Sequence, residues 1–220
     1  MCLAHRFLAC LLFMLAVPAW SADAAGWKLE KDKDGIQIYT RAVPGWEIRE
    51  MRGVTRHAGS LGSLVAAIHD PAAAPELNEF VAKSTIEQRD SETRYRLYTL
   101  TKMPWPLTDR DALMQREIVQ DAKTRVVTVT DTATDQLMPE RKGLVRIIKS
   151  RQQWTLTPNA DGSVGVELRI LSDPRGPIPS SLLNTLSVST PFKTLSQLKA
   201  VAQRAKYTQA RLAFIKEGVP

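Results

Sequence analysis

The sequence predicts an α+β domain in which a curved antiparallel sheet wraps around a long C-terminal helix and encloses an apolar cavity. Apolar and polar residues alternate along successive segments joined by short polar turns, a pattern typical of antiparallel hairpins. Near the C-terminus, apolar residues recur at i, i+3 and i+4 spacing, which predicts one long helix. The order is a strand pair, two helices, an antiparallel run and the long helix. A curved sheet that grips one helix leaves space between the two.

Residues 1–21 are predicted to be a cleaved secretory signal. Arg6 precedes an apolar run over residues 7–19, which is shorter than the roughly 20 residues of a spanning helix. The small residues that follow fit a signal peptidase site, so cleavage is expected after Ser21 or as late as Ala24. The protein should then cross the inner membrane and be periplasmic. An uncleaved membrane anchor is the alternative that this length disfavours.

The cysteine content and the net charge exclude some kinds of chemistry and some partners. Cys2 and Cys10 both lie in the predicted signal, so the mature protein should have neither a disulfide nor a thiol nucleophile. The formal net charge of the chain is +7. Because an exported protein meets few nucleic acids, none is expected as a partner, whereas anionic lipid headgroups suit the charge and transient membrane contact is expected. Ordinary solubility is the alternative explanation of the charge.

The first half of the chain is predicted to begin with strands and continue into helices. The short element 27–30 is followed by a hairpin of strands 35–41 and 46–56. Ser60 is a plausible N-cap for a helix, and Asp70-Pro71 should end that helix and start another. The apolar side of this second helix is predicted to contain Leu77, Phe80 and Val81.

The second half is predicted to be a run of hairpins and then the long helix. The strands pair as 84–89 with 94–101, 112–120 with 125–132, and 143–156 with 164–171. The long helix then runs toward the C-terminus. Pro191 lies inside it and should kink or split it.

Three motifs carry a resemblance to a known family. In the stretch 103–111, Pro104 and Pro106 bracket Trp105 and should end a strand, because proline cannot donate to a sheet ladder. Asp109 and Asp111 flank Arg110, which carboxylates or backbone carbonyls should hold. With the stretches 138–146 and 173–179, this motif resembles the START family (steroidogenic acute regulatory protein-related lipid transfer domains).

The resemblance covers roughly residues 27–204, with 205–220 as a C-terminal helix extension or tail. It implies the helix-grip fold and a lipid-binding or lipid-transfer protein rather than an enzyme. Sterol, hopanoid, fatty acid and phospholipid all stay open as ligands, and the oligomeric state is not determined by the sequence. A helix-grip enzyme of the cyclase or lyase type is one alternative function, and a regulatory scaffold without ligand is another.

Motifs for catalysis or metal binding are absent from the sequence. The three histidines lack metal-ligand spacing, and no nucleophile elbow, phosphate loop or dinucleotide fingerprint occurs. We therefore expect no metal, no cofactor and no catalytic residue. Apolar residues of the strands and the long helix are the cavity candidates, although sequence periodicity does not separate cavity from core. These candidates are Leu97, Met114, Ile148, Trp154, Leu168, Ile170, Leu182, Leu186, Phe192 and Leu195.

Arg116 is the charged candidate for the cavity. START members commonly carry an Arg in the cavity six positions after the Arg of the turn motif, and Arg116 has that offset from Arg110. Sterol-binding relatives supply an acid on the preceding strand, but the matching position is Leu97. Arg116 could therefore pair elsewhere, face solvent beside Glu117, or bind an anionic ligand headgroup. Arg110 is expected to be structural, held by Asp109 or Asp111.

Overall fold

The computed structural model describes residues 26–134 and 138–218. The predicted signal and its cleavage site lie outside these residues. The first part of the described chain forms three strands, a helix, a short 3-10 turn and a second helix. These are β1 (Lys28–Lys33), β2 (Ile36–Ala42), β3 (Arg49–Ala58), α1 (Leu61–His69), the 3-10 turn Pro71–Ala73 and α2 (Ala74–Leu77).

The remaining elements are seven strands followed by a long and a short helix. The strands are β4 (Val81–Arg89), β5 (Arg94–Thr101), β6 (Arg110–Gln120), β7 (Val127–Ala133), β8 (Val145–Ile147), β9 (Ser150–Pro158) and β10 (Ser163–Ser172). The helices are α3 (Ser180–Val201) and α4 (Ala205–Thr208).

The ten described strands belong to one curved sheet with the order β1-β2-β3-β10-β9-β7-β6-β5-β4. Every neighbouring pair on this path is antiparallel, and β8 lies off the path, parallel to β6. Helices α1 and α2 carry the chain from β3 across to β4 at the far edge. The chain then returns strand by strand until β10 pairs with β3. The predicted α+β arrangement, with an antiparallel sheet around a long helix, is confirmed.

Three predicted elements need correction. The strand expected over 143–156 is two strands, because the chain turns at Ile148 and Lys149 between β8 and β9. The second helix ends at Leu77, since Asn78 already has extended backbone, and Val81 opens β4. Pro191 does not split the long helix, which is continuous through it.

The core joins α3 to the first strands. Leu195 and Leu198 on α3 are fully buried. Because Gly53 on β3 has no side chain, it leaves room for α3 here: a Cβ at this position would lie 2.6 Å from Cδ1 of Leu195. This close approach fixes the C-terminal half of α3 against the sheet. Ser60 caps α1 as expected, its hydroxyl accepting from the Ser63 amide.

The segment after α3 folds back on the domain instead of continuing the helix. It contains α4 and then irregular chain up to residue 218. The Glu217 carboxylate accepts hydrogen bonds from the amides of Leu61 (3.0 Å) and Gly62 (2.7 Å) at the N-terminus of α1. A carboxylate here satisfies otherwise unpaired amides and complements the helix dipole. In the described part of the chain, none of the helices is long and apolar enough to cross a membrane.

Candidate functional site

A cavity of about 520 Å³ lies between the concave face of the sheet and the helices. Its volume falls within the range of about 300–1,000 Å³ that is usual for small-molecule sites. Strand residues form its floor, and residues of α3 form its roof. Hydroxyl and amide side chains interrupt the apolar wall at several points, among them Ser84, Thr99, Gln152, Asn184, Ser187 and Thr194.

Six of the eleven candidate ligand-binding residues line this cavity. Leu97, Met114 and Arg116 line it from β5 and β6, Trp154 and Ile170 from β9 and β10, and Leu186 from α3. The alternation of side chains along each strand points the five strand residues to the concave face. Their role in ligand binding stays a prediction.

The other five candidates do not line the cavity. Leu168 and Leu195 are fully buried in the core between sheet and helix. Phe192 lies under the Lys31 ammonium, which is 3.7 Å from the ring centroid. Leu182 is half-buried on α3, and Ile148 is 40% exposed in the turn after β8. Leu168 and Leu195 do point inward, but they meet core and not cavity because α3 packs closely on the sheet there.

Arg116 is paired within the fold. Its Nε and Nη2 donate to Oδ1 and Oδ2 of Asp131 at 2.6 and 2.7 Å, and its Nη1 donates to the Ile68 carbonyl. Asp131 lies directly opposite on β7, and both residues line the cavity. Of the three alternatives, pairing elsewhere is therefore correct. The hypothesis of an unpaired Arg116 that awaits a ligand anion is wrong.

The Arg116–Asp131 ion pair gives the cavity wall a polar group without net charge. Burial alone would lower the pKa of Arg116, but the charge and hydrogen bonds of Asp131 raise it above its usual value. Tyr95 packs beside the guanidinium, with its ring centroid 5.9 Å from Cζ. The remaining N–H groups of Arg116 and lone pairs of Asp131 can serve a ligand as donors and acceptors. The site therefore suits a polar group without net charge.

Backbone carbonyls and a second ion pair hold the turn motif at residues 103–111 in place. Arg110 donates to the carbonyls of Thr108, Pro174 and Arg175. The expectation that Asp109 or Asp111 holds Arg110 is thus wrong, whereas the backbone alternative is correct. Asp109 instead pairs with Lys102 at 2.6 Å.

Asp111 belongs to a separate buried pair on the outer face of the sheet. Its Oδ1 and Oδ2 accept from Nε and Nη2 of Arg146 at 2.7 and 2.9 Å. Arg146 also donates to the carbonyls of Met138 and Pro139. This network fastens the segment before β8 against β6.

Trp105 is 92% exposed at the tip of the β5–β6 loop. The Leu107 amide donates to the Pro104 carbonyl and closes the turn that carries it, and the Trp105-Pro106 peptide is cis. Met103 in the same loop lines the cavity. The loop therefore borders the cavity and presents its aromatic ring to solvent.

The two halves of α3 differ in how they contact the domain. In the C-terminal half, Thr194, Leu195, Leu198 and Val201 are buried. In the N-terminal half, residues up to Thr190 are half-buried or exposed, although Leu183 and Leu186 line the cavity. Pro191 stands at the boundary. The N-terminal half thus covers the cavity without the packing that fixes the rest of the helix.

Asp131 and the polar lining were missed by sequence reasoning. The predicted hairpin over residues 112–132 indicates Asp131 as a partner of Arg116, because pairing across its turn brings position 131 close to Arg116. The observed register pairs Gln120 with Val127, and this register determines the match. Within residues 26–134 and 138–218, no group of three or more His, Cys, Asp or Glu is placed to bind a metal.

Comparisons with known proteins agree with this geometry. A family model described as START domain matches residues 17–208. An uncharacterized protein of Pseudomonas aeruginosa is 30% identical over 186 residues, which are 84% of this chain and 91% of that protein. The mouse phosphatidylcholine transfer protein is 24% identical over 166 residues, covering 73% of this chain and 76% of that protein.

Solved structures with the same fold include bacterial and human proteins. The STAR-related lipid transfer protein of Xanthomonas axonopodis has a TM-score of 0.74 and 34% identity, covering 81% of this chain and 99% of that chain. Human StAR-related lipid transfer protein 5 has a TM-score of 0.75 and 17% identity, covering 82% of this chain and 88% of that one.

Proposed function

The chain belongs to the START domain family, and we propose that it binds one lipid in its cavity and carries it between membranes. The observation that carries this proposal is the cavity of about 520 Å³ between sheet and α3, with the buried Arg116–Asp131 pair in its wall. Relatives named for phosphatidylcholine transfer and STAR-related lipid transfer support the same function.

The energetics of the site favour a lipid with a hydrocarbon body. Burying ~400 Å² of apolar surface at ~25 cal/mol per Å² contributes on the order of 10 kcal/mol. That gain offsets part of what the lipid loses on leaving a bilayer. The partly seated N-terminal half of α3 is the element that would move to admit the ligand.

The buried ion pair in the cavity wall favours a neutral or zwitterionic polar end. Arg116 and Asp131 neutralise one another, so an anionic headgroup would compete with Asp131 for the guanidinium. A zwitterionic phospholipid or a neutral sterol or hopanoid fits this site better than a fatty acid carboxylate. The phosphatidylcholine transfer relatives support the phospholipid choice among these.

Native mass spectrometry of the purified protein, followed by organic extraction, tests the proposal. We expect a one-to-one complex whose bound mass matches a lipid. Ala112→Phe should abolish the bound mass, because Ala112 lines the cavity and a phenyl ring would fill it. Thr132→Phe is the matched control, since Thr132 is exposed on the next strand. A lipid-free wild type that also fails to take up phosphatidylcholine or sterol would overturn the proposal.

We also propose that the protein acts in the periplasm after export. The apolar run at residues 7–19 and the small residues after it support cleavage. N-terminal sequencing of protein from an exporting host should find Ala22 or Ala25 as the first residue. An intact Met1 in a membrane fraction would contradict export with cleavage.

A further inference from the structure

A second pocket of about 280 Å³ lies between the end of α1, the end of β4 and the segment after α3. Its volume is close to the lower end of the range of about 300–1,000 Å³ that is usual for small-molecule sites. Asp70 and Pro71 line both this pocket and the cavity under α3, so the turn after α1 is the wall between them. The two are therefore neighbouring sites on opposite sides of one turn.

Arg89 gives the second pocket a cation without an acidic partner. Its guanidinium lies over the Tyr95 ring, with Cζ 5.0 Å from the ring centroid, and in the described part of the chain no carboxylate pairs with it. Tyr95 is fully buried, so its ring is a firm support for the guanidinium. A guanidinium with unused N–H groups can bind a carboxylate through charge-assisted hydrogen bonds.

His69 adds a ring nitrogen that the fold does not use. Its Nδ1 lies 2.8 Å from the Tyr95 hydroxyl, whereas its Nε2 makes no hydrogen bond within residues 26–134 and 138–218 and is not enclosed by other atoms. An anion beside Nε2 would favour the tautomer that carries the proton there. Burial lowers the pKa of His69 to about 4, and the charges of Arg116 and Arg89 add to this effect against that of Asp70. The surroundings of the ring are therefore electropositive.

The carboxylate of Asp70, which also lines the pocket, is already occupied. Its Oδ2 accepts from Lys206 Nζ and from the Tyr207 hydroxyl, and its Oδ1 accepts from the Ala72 amide at 3.0 Å. Because the Lys206 ammonium compensates the charge of Asp70, the charge of Arg89 is left over among the residues that line the pocket. The pocket is therefore suited to one negative charge.

Apolar side chains form the rest of the pocket wall. Ala66 and Pro71 line it from the α1 side, and Ala210 and Leu212 line it from the segment after α4. Ala66 is buried, whereas Ala210 and Leu212 are half-buried. A single ring or a short hydrocarbon placed here would remove apolar surface from water, which is favourable. A bare inorganic ion would leave this part of the pocket unfilled.

We propose that this pocket binds a small organic anion, a carboxylate carried on a single ring or a short hydrocarbon. The carboxylate pairs with Arg89 and accepts a hydrogen bond from His69 Nε2, and the hydrocarbon lies against the apolar wall. Both polar partners adjoin Tyr95, since the His69 ring centroid lies 5.2 Å from that of Tyr95. The site does not depend on what the cavity under α3 holds.

Titration with sodium benzoate, followed by NMR of the histidine and arginine side chains, tests the proposal. Benzamide is the neutral counterpart of benzoate, and sodium chloride at equal ionic strength controls for screening. We expect saturable shifts of the His69 Cε1–H and Arg89 Nε–H signals with benzoate, none with chloride, and at least tenfold weaker binding of benzamide. The pKa of His69 should rise in the benzoate-saturated protein, because a nearby anion stabilises the charged ring. His57 does not line the pocket and should not respond.

Two pairs of variants locate the bound benzoate. Arg89→Gln should weaken binding about tenfold, because it removes the charge and keeps a polar side chain. Arg56→Gln is its control, since Arg56 is an exposed arginine of β3 outside the pocket. Ala210→Leu should block binding by filling the pocket, whereas Ala213→Leu, at an exposed position of the same segment, should leave binding unchanged.

Three results would overturn the proposal. The first is equal binding of benzoate and benzamide, or shifts that do not saturate. The second is an equal effect of Arg89→Gln and Arg56→Gln. The third is benzoate in the cavity under α3 instead, which would shift the signals of Met114 and Ile170 and would be lost in Ala112→Phe.

Discussion

Arg116 and Asp131 face each other across β6 and β7 and form a bidentate ion pair in the wall of the cavity. Their side chains are 9% and 7% exposed. The two N–H···O contacts of 2.6 and 2.7 Å match the fork geometry in which guanidinium and carboxylate bind most strongly. The pair also holds the end of α1, because Arg116 donates to the Ile68 carbonyl.

Removing one member of this pair should destabilise the empty protein. Arg116→Leu leaves the Asp131 carboxylate buried without its partner, at a cost of about 3–5 kcal/mol in the free energy of unfolding. Urea denaturation measures it. The double variant Arg116→Leu/Asp131→Leu should recover much of the loss, since it leaves no unpaired charge. A single variant as stable as wild type would show that the pair is dispensable.

Gly53 should be required for the seating of α3. In Gly53→Ala the new Cβ would lie 2.6 Å from Leu195 Cδ1, so a fully buried side chain must shift. Overpacking of this kind costs about 1–3 kcal/mol. Gly165→Ala on β10 is the control, because its Cβ would meet Thr157 at an ordinary 3.7 Å. Equal thermal midpoints for the two variants would contradict this packing.

The two halves of α3 should differ in amide hydrogen exchange. Residues 178–190 should exchange faster than 191–201 and faster than the central strands, because the N-terminal half lacks buried side chains. Bound lipid should slow the exchange of that half. Mass-spectrometric peptide mapping with and without phosphatidylcholine measures it, and equal protection in both samples would count against a gating role.

His69 should make the protein less stable in mild acid. Burial and the charges of Arg116 and Arg89 lower its pKa to about 4, against the opposing effect of Asp70. The unfolded chain protonates near the ordinary value of about 6.5. The stability from neutral His69 is therefore complete above about 6.5 and is lost as pH falls toward 4.

Thermal melting of wild type and His69→Gln between pH 7 and pH 4.5 checks this expectation. The variant should lose less stability than wild type across that interval, because Gln stays neutral and can still hydrogen-bond the Tyr95 hydroxyl, which lies 2.8 Å from His69 Nδ1. His57, whose pKa burial and Lys199 also lower, is common to both proteins. Parallel melting profiles would rule out His69 as the source.

The fold was more predictable than the site, for a physical reason. Strand and helix periods determine which face of each element is apolar, so the order of elements followed from the sequence. Whether an inward residue meets core or cavity depends on how closely α3 approaches the sheet. Gly53 lets Leu195 of α3 approach the sheet closely, and no periodicity in the sequence predicts that contact.

The partner of Arg116 was missed because it depends on strand register. The expected acid was sought on the preceding strand at Leu97, whereas the structure supplies Asp131 from the following strand. Likewise, Asp111 is adjacent to Arg110 in sequence but pairs with Arg146, which β8 brings beside it. Pairings between distant strands determine these contacts, and local patterns do not reveal them.

Photo-crosslinking with a phosphatidylcholine that carries a diazirine on one acyl chain tests the central claim most directly. If the cavity holds the lipid, labels should fall on Met114, Trp154, Ile170 and Leu186, which line it from four elements. Ala112→Phe should remove these labels, and Thr132→Phe should keep them. Labels confined to the outer face of the sheet, or unchanged by Ala112→Phe, would contradict a lipid held in this cavity.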